Sequence, residues 1–130
     1  MNRNKNIFLN GLIDLAQSRL GSKIVYKTDE FFAPAKRIIN PWPPVFKEGV
    51  FDEHGKWMDG WETKRKRNKG HDYLILKLGR PGKIHKVDID TSYFNGNQPS
   101  KVYYFFSKFF INPHFTINPN SCNATIGIDI

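Results

Sequence analysis

The sequence predicts an all-β fold, an antiparallel sandwich, from three observations. Short apolar stretches alternate with polar residues at the period of a strand, glycine and proline turns separate them, and aromatic residues make up 15% of the chain. One hundred and thirty residues suit one domain with a single core, and eleven phenylalanines supply ample apolar surface to build it.

The first element is the exception to the β pattern. Between positions 7 and 20, Phe8, Leu9, Leu12, Ile13, Leu15, Ala16 and Leu20 recur near a helical period, and Gly21 follows as a stop. A short N-terminal helix is therefore expected. The β-branched and aromatic run 23–28 reads as a strand that Asp29 and Glu30 end in a turn. Pro34, Pro41, Pro43 and Pro44 then exclude regular sheet or a long helix, because proline lacks the ladder donor, so this stretch is an ordered connection.

Leu74, Leu76 and Leu78 share one face of the run 72–78 while Tyr73, Ile75 and Lys77 share the other, which marks a strand with one core side. Gly79 to Gly82 turn the chain into an expected strand at 83–91, with Val87 and Ile89 on one side and Asp88 and Asp90 on the other. A loop rich in asparagine and glycine leads to another expected strand at 101–106, and 124–130 has the composition of a last one. Ile-Asn-Pro occurs twice after residue 110, a repeat too short to be architectural.

Charge is concentrated. The formal net charge is +8, but Lys64, Arg65, Lys66, Arg67 and Lys69 carry five of those charges and leave +3 for the rest. The basic cluster suits an anion, yet aromatics are not interleaved with the bases as a nucleic-acid stacking platform requires, so nucleic acid is not the expected partner. Cys122 is the only cysteine, which excludes an internal disulfide and a thiolate zinc cluster. His54, His85 and His114 have no metal-ligand spacing with it. Asp88 and Asp90 read as solvent-facing acids rather than cation ligands, so neither metal nor cofactor is expected. The apolar run 7–9 is too short for a secretory leader and no stretch is long enough to span a bilayer, so the expected location is the cytoplasm, away from membranes.

The chemistry gathers in 55–72, where two tryptophans, several acids, a run of four bases and the pair His71–Asp72 fall within eighteen residues. Tryptophan gives rigid walls and arginine a forked donor, while His71, Asp72, Glu62 and Asp59 are candidates for proton transfer by residue type. Trp57 and Trp61, four apart, suit core and ligand wall equally. In an extended strand Arg65 and Arg67 would share a face, with Lys64 and Lys66 on the other.

The order of 28–35, Pro43-Pro44-Val45-Phe46, 55–67, Gly70-His71-Asp72 and 87–97 resembles the N-terminal repeat of the allantoicases, over about 14–103. The resemblance implies a jelly-roll β-sandwich of the galactose-binding type, and a hydrolase that converts allantoate and water into ureidoglycolate and urea. After Phe106 the sequence departs from the family pattern and no second repeat follows. The chain thus reads as an N-terminal repeat, 1–106, with a divergent tail, 107–130. Against this substrate, His71, Asp72 and Glu62 are the candidate catalytic residues. Arg65, Arg67, Trp61, Asp59 and Thr91 are the candidate contacts for a small anion. A noncatalytic jelly roll that binds small ligands or carbohydrate is the competing reading, and homo-oligomerisation stays open.

Overall fold

The computed structural model describes residues 12–106, together with 123–129 as backbone. Six strands follow in chain order: β1 (Lys23–Lys27), β2 (Phe51–Asp52), β3 (Gly55–Lys56), β4 (Asp72–Lys77), β5 (Lys101–Phe106) and β6 (Asn123–Asp129). β1, β4, β6 and β5 form, in that order, a four-stranded antiparallel sheet, and β2 pairs with β3 in a hairpin. The mostly-strand architecture expected from the alternation is what the described residues show.

Strand β4 organises the main sheet. Asp72, Leu74 and Leu76 are buried while Tyr73 and Lys77 are exposed, the period-two pattern of a strand with one face against a core. Leu78 continues that apolar row just beyond the strand, and the cluster of Leu74, Leu76, Leu78, Trp61, Ala35 and Ile39 forms the core. Ile24 of β1 and Ile84 pack against it. Register fixes which side chains share a face. Leu74 opposes Ile126, which opposes Tyr104, whereas Tyr73 and Tyr103 lie in one row on the opposite face with Gly127 between them. β1 carries an irregularity between Ile24 and Tyr26, which keeps Ile24 on the core side while Tyr26 meets Tyr73 at 5.4 Å.

Two expectations are corrected. The helix predicted over 7–20 is not continuous: positions 7–11 lie outside the described residues, and 12–20 form turns that end in a 3-10 turn at Ser18–Leu20. Side chains satisfy the backbone here instead of an α-helical ladder. Asp14 accepts the Ala16 N–H through Oδ1 at 3.0 Å, Gln17 Nε2 donates to the Asp14 carbonyl at 2.9 Å, and Ser22 Oγ donates to the Leu15 carbonyl at 2.7 Å. Gly21, at φ +88°, then reverses the chain. The strand expected at 83–91 is likewise absent, because no ladder partner lies beside it among the described residues. Its apolar residues serve singly, Ile84 as a core contact and Val87 half-buried. The proline-rich connection is ordered by a 3-10 turn at Ala35–Ile39, whose Ala35 and Ile39 enter the core.

No helix among the described residues is long and apolar enough to cross a membrane. Gly79 sits where backbone meets backbone, since a Cβ there would run into the Leu20 carbonyl oxygen and Gly21. Gly79 N–H also donates to Ser22 Oγ at 3.0 Å. Gly79→Ala should therefore destabilise by about 1–3 kcal/mol or more, as overpacking against rigid atoms does. Leu76→Ala, which empties a site only 2% exposed, should cost about 2–5 kcal/mol. Denaturant melts that show no loss for either variant would contradict this packing.

Candidate functional site

The segment 57–66 crosses the open side of the core because it is tied to 29–33. Ala33 and Glu62 exchange backbone hydrogen bonds at 3.0 and 3.1 Å, and the Phe32 N–H also donates to the Glu62 carbonyl at 3.2 Å. Asp29 completes the tie. Its carbonyl accepts Trp61 Nε1–H at 2.6 Å, and its Oδ2 accepts the Lys64 N–H at 2.7 Å. These bonds hold Trp61 flat in the core, 7% exposed, and pass the polar residues on either side of it to the surface.

A cavity of about 1210 Å³ opens above Trp61, Leu74 and Leu76. It exceeds the roughly 300–1,000 Å³ usual for small-molecule sites, so its volume does not define a ligand. Asp59, Trp61, Glu62, Arg65 and Thr91 all contribute to the lining, as do Lys64 and Lys66. Five of the sequence-predicted site residues are thus brought together. Arg67, His71 and Asp72 stand outside that wall.

The reason for the split is backbone geometry. Residues 63–67 form no ladder, so Arg65 and Arg67 do not share a ligand-facing side as an ideal strand would have placed them. Asp72 is 3% exposed and takes Thr28 Oγ1–H at 2.8 Å and Lys66 Nζ at 3.1 Å, while Thr28 Oγ1 accepts the Tyr73 N–H at 3.1 Å. It fastens the start of β4 to the end of β1 and to the basic run. His71, the preceding residue, is exposed.

Glu62 is half-buried and accepts Asn97 Nδ2–H through Oε1 at 2.8 Å. Burial pushes its carboxyl above the usual range, and the Asn97 hydrogen bond opposes that rise. Asp59 accepts the Val45 N–H through Oδ2 at 2.9 Å and so orders the chain after the prolines. Thr91 accepts the Phe94 N–H through its carbonyl at 3.1 Å, closing a turn over the cavity rim. Asp90 caps the Ser92 N–H at 2.9 Å, and among the described residues no group of three or more His, Cys, Asp or Glu gathers as a metal site.

Sequence reasoning missed two residues. Arg37 forks onto Asp52, with Nη1 at 2.6 Å and Nη2 at 3.0 Å, donates to the Met58 carbonyl at 2.8 Å, and lies 4.9 Å from the Trp57 ring centroid. Lys47 covers the same ring at 4.2 Å, which makes Trp57 a support flanked by two cations. Asn97 is the other. It lies in a loop with no periodicity, and nothing in its spacing points to Glu62, thirty-five positions away.

The described residues thus form a small, mostly-strand domain in which several cations and a half-buried carboxylate lie over an apolar floor. Residues 13–107 match the family model described as the allantoicase repeat, and the chain belongs to the allantoicase family. It is 52% identical over 96 residues to the Probable allantoicase 2 of Burkholderia mallei, covering 74% of this chain and 29% of that protein. It is 59% identical over 87 residues to the Probable allantoicase of Pseudomonas aeruginosa, covering 67% and 26%. Among solved structures, one of allantoicase superposes with a TM-score of 0.62 at 28% identity, over 91% of this chain and 35% of that one. The allantoicase of Saccharomyces cerevisiae, at 24% identity, shares the fold with a TM-score of 0.61 over 96% and 42%. The chain spans less than a third of the length of the two curated relatives.

The Arg37 guanidinium holds the Asp52 carboxyl below its usual range. Asp52 is therefore lower in the folded chain than in the unfolded one, so its contribution is present above about pH 4 and is lost as pH falls through the folded value. Thermal melts across pH 2–6 should show a steeper acid-side loss for wild type than for Asp52→Asn; parallel curves would mean the pair contributes nothing.

Proposed function

We propose that this chain carries the substrate-recognition face of an allantoicase, which converts allantoate and water into ureidoglycolate and urea. The observation that carries the reading is that Arg65 and Glu62 both line one cavity, inside a repeat that matches the family over 13–107. Allantoate places a carboxylate and two ureido groups on one carbon. Arg65 offers the carboxylate a bidentate fork, and Trp61 with Thr91 and Asp59 shapes the pocket.

Hydrolysis breaks one bond from the central carbon to a ureido nitrogen and forms a bond from that carbon to the water oxygen. The water proton ends on the departing urea. A carboxylate whose pKa is raised by burial is a stronger base, which suits Glu62 to take a proton from the attacking water and pass it on to the leaving nitrogen. His71 and Asp72 stand outside the wall, so in this reading Asp72 and Lys66 position the basic run and Glu62 moves the proton. The four-stranded sheet is one layer of a jelly-roll sandwich of the galactose-binding type, working in the cytoplasm on a small anion rather than on nucleic acid. Assembly into a homo-oligomer accords with the same reading.

Urea release from allantoate tests it. Glu62→Gln should lower kcat by roughly 10² to 10⁴, as loss of a general base does, and Arg65→Ala should raise KM. Because Glu62 is raised in the folded state, its charge costs stability above the folded value and that cost is relieved as pH falls through it. Glu62→Gln should therefore melt higher than wild type near pH 7. A folded wild type that binds allantoate in calorimetry without releasing urea would instead assign it the role of a binding module.

A further inference from the structure

The reading above leaves open what in the wall recognises a ureido group rather than any small acid. Two features of the 90–98 loop bear on this. First, the loop is docked on the site segment. The Phe94 ring lies against Gly60, where a Cβ would approach Phe94 Cε2 to 2.8 Å. Its neighbour Tyr93 holds φ +70°, a conformation that a bulky residue avoids, and stacks on Phe46 at 5.8 Å. Gly96, at φ +86°, donates its N–H to Gln98 Oε1 at 2.7 Å and turns the chain so that Asn97 reaches Glu62.

Second, that contact consumes one atom of each partner. An ionised carboxylate only accepts, so the Asn97 amide presents Nδ2 to Glu62 Oε1, at 2.8 Å. Glu62 Oε2 and Asn97 Oδ1 take no other partner among the described residues, and both side chains line the cavity. Two acceptors then stand close together on a cavity lining that also carries Arg65.

We propose that Asn97 and Glu62 form a recognition pair for ureido N–H groups, with Asn97 both holding the Glu62 carboxylate in place and contributing Oδ1 as the second acceptor. This rests on the allantoate reading and adds the residues that tell a ureido group from other substituents. Arg65 takes the acid while the pair takes the ureido edge, so a carboxylate without a ureido group satisfies only half of the wall.

Calorimetry with allantoate on the full chain, together with carbon-13 NMR titration of labelled glutamate carboxyls, tests the pair. Asn97→Ala should weaken allantoate by about tenfold or more and move the Glu62 titration further up, since the opposing hydrogen bond is gone. Gly60→Ala should act in the same direction by lifting Phe94 and the loop with it, while the fold persists in far-UV circular dichroism. Unchanged affinity and an unchanged Glu62 titration in Asn97→Ala would overturn the proposal, even with the Glu62→Gln effect on urea release intact. Loss of affinity in Asn97→Ala while Glu62→Gln releases urea normally would keep the recognition pair and remove Glu62 from catalysis. Absence of allantoate binding by the wild type overturns both.

Discussion

The short antiparallel exchange between Ala33 and Glu62 is the constraint on which the site depends. It is a single bridge, yet it holds residues 57–66 over the core side of β4 instead of letting them follow a surface path. Asp29 reinforces it with two different bonds, a carbonyl to the Trp61 indole and a carboxylate to the Lys64 N–H, so Trp61 sits fixed between them. Bonds of this kind are worth only about 0.5–1.5 kcal/mol each, but several of them acting on Trp61, Glu62 and Lys64 leave that segment little freedom. The indole is apolar floor and anchor at once.

Packing and chemistry are coupled through this segment. Trp61 and Thr63 are buried, while Glu62 between them is half-buried and accepts Asn97, so alternation along a short extended stretch sets core side chains apart from a polar one. The same placement removes water from part of Glu62 and raises its carboxyl. Full exposure would leave the carboxyl at its ordinary value, and full burial would hold it protonated. Partial burial with one hydrogen bond lies between these limits.

The basic run shows how one sequence feature divides among several tasks. Lys64 lies 4.2 Å from the Phe31 ring centroid, Lys66 pairs with buried Asp72, and Arg65 faces the cavity. The Lys66–Asp72 contact at 3.1 Å keeps a buried carboxylate paired, and Thr28 supplies its second bond. Arg37, which lines the cavity, ties Asp52 to the Met58 carbonyl beside that segment.

The alternation in 72–78, the turn residues and the β-rich composition were enough to establish the class of fold and the core face of β4, because strand periodicity is a local property. The resemblance carried by 55–72 and 87–97 likewise pointed to the family from residue order alone. Local pattern failed wherever a residue's partner is distant. The helical spacing of 12–20 gave way to side-chain bonds from Asp14, Gln17 and Ser22, and 83–91 lacked a neighbour to pair with. Only the tertiary structure separated Arg65 from Arg67, assigned Asp72 to Thr28 and Lys66, and brought Asn97 to Glu62. Each of those pairings closes a loop in space, and the period of a strand or helix carries no information about which loops close.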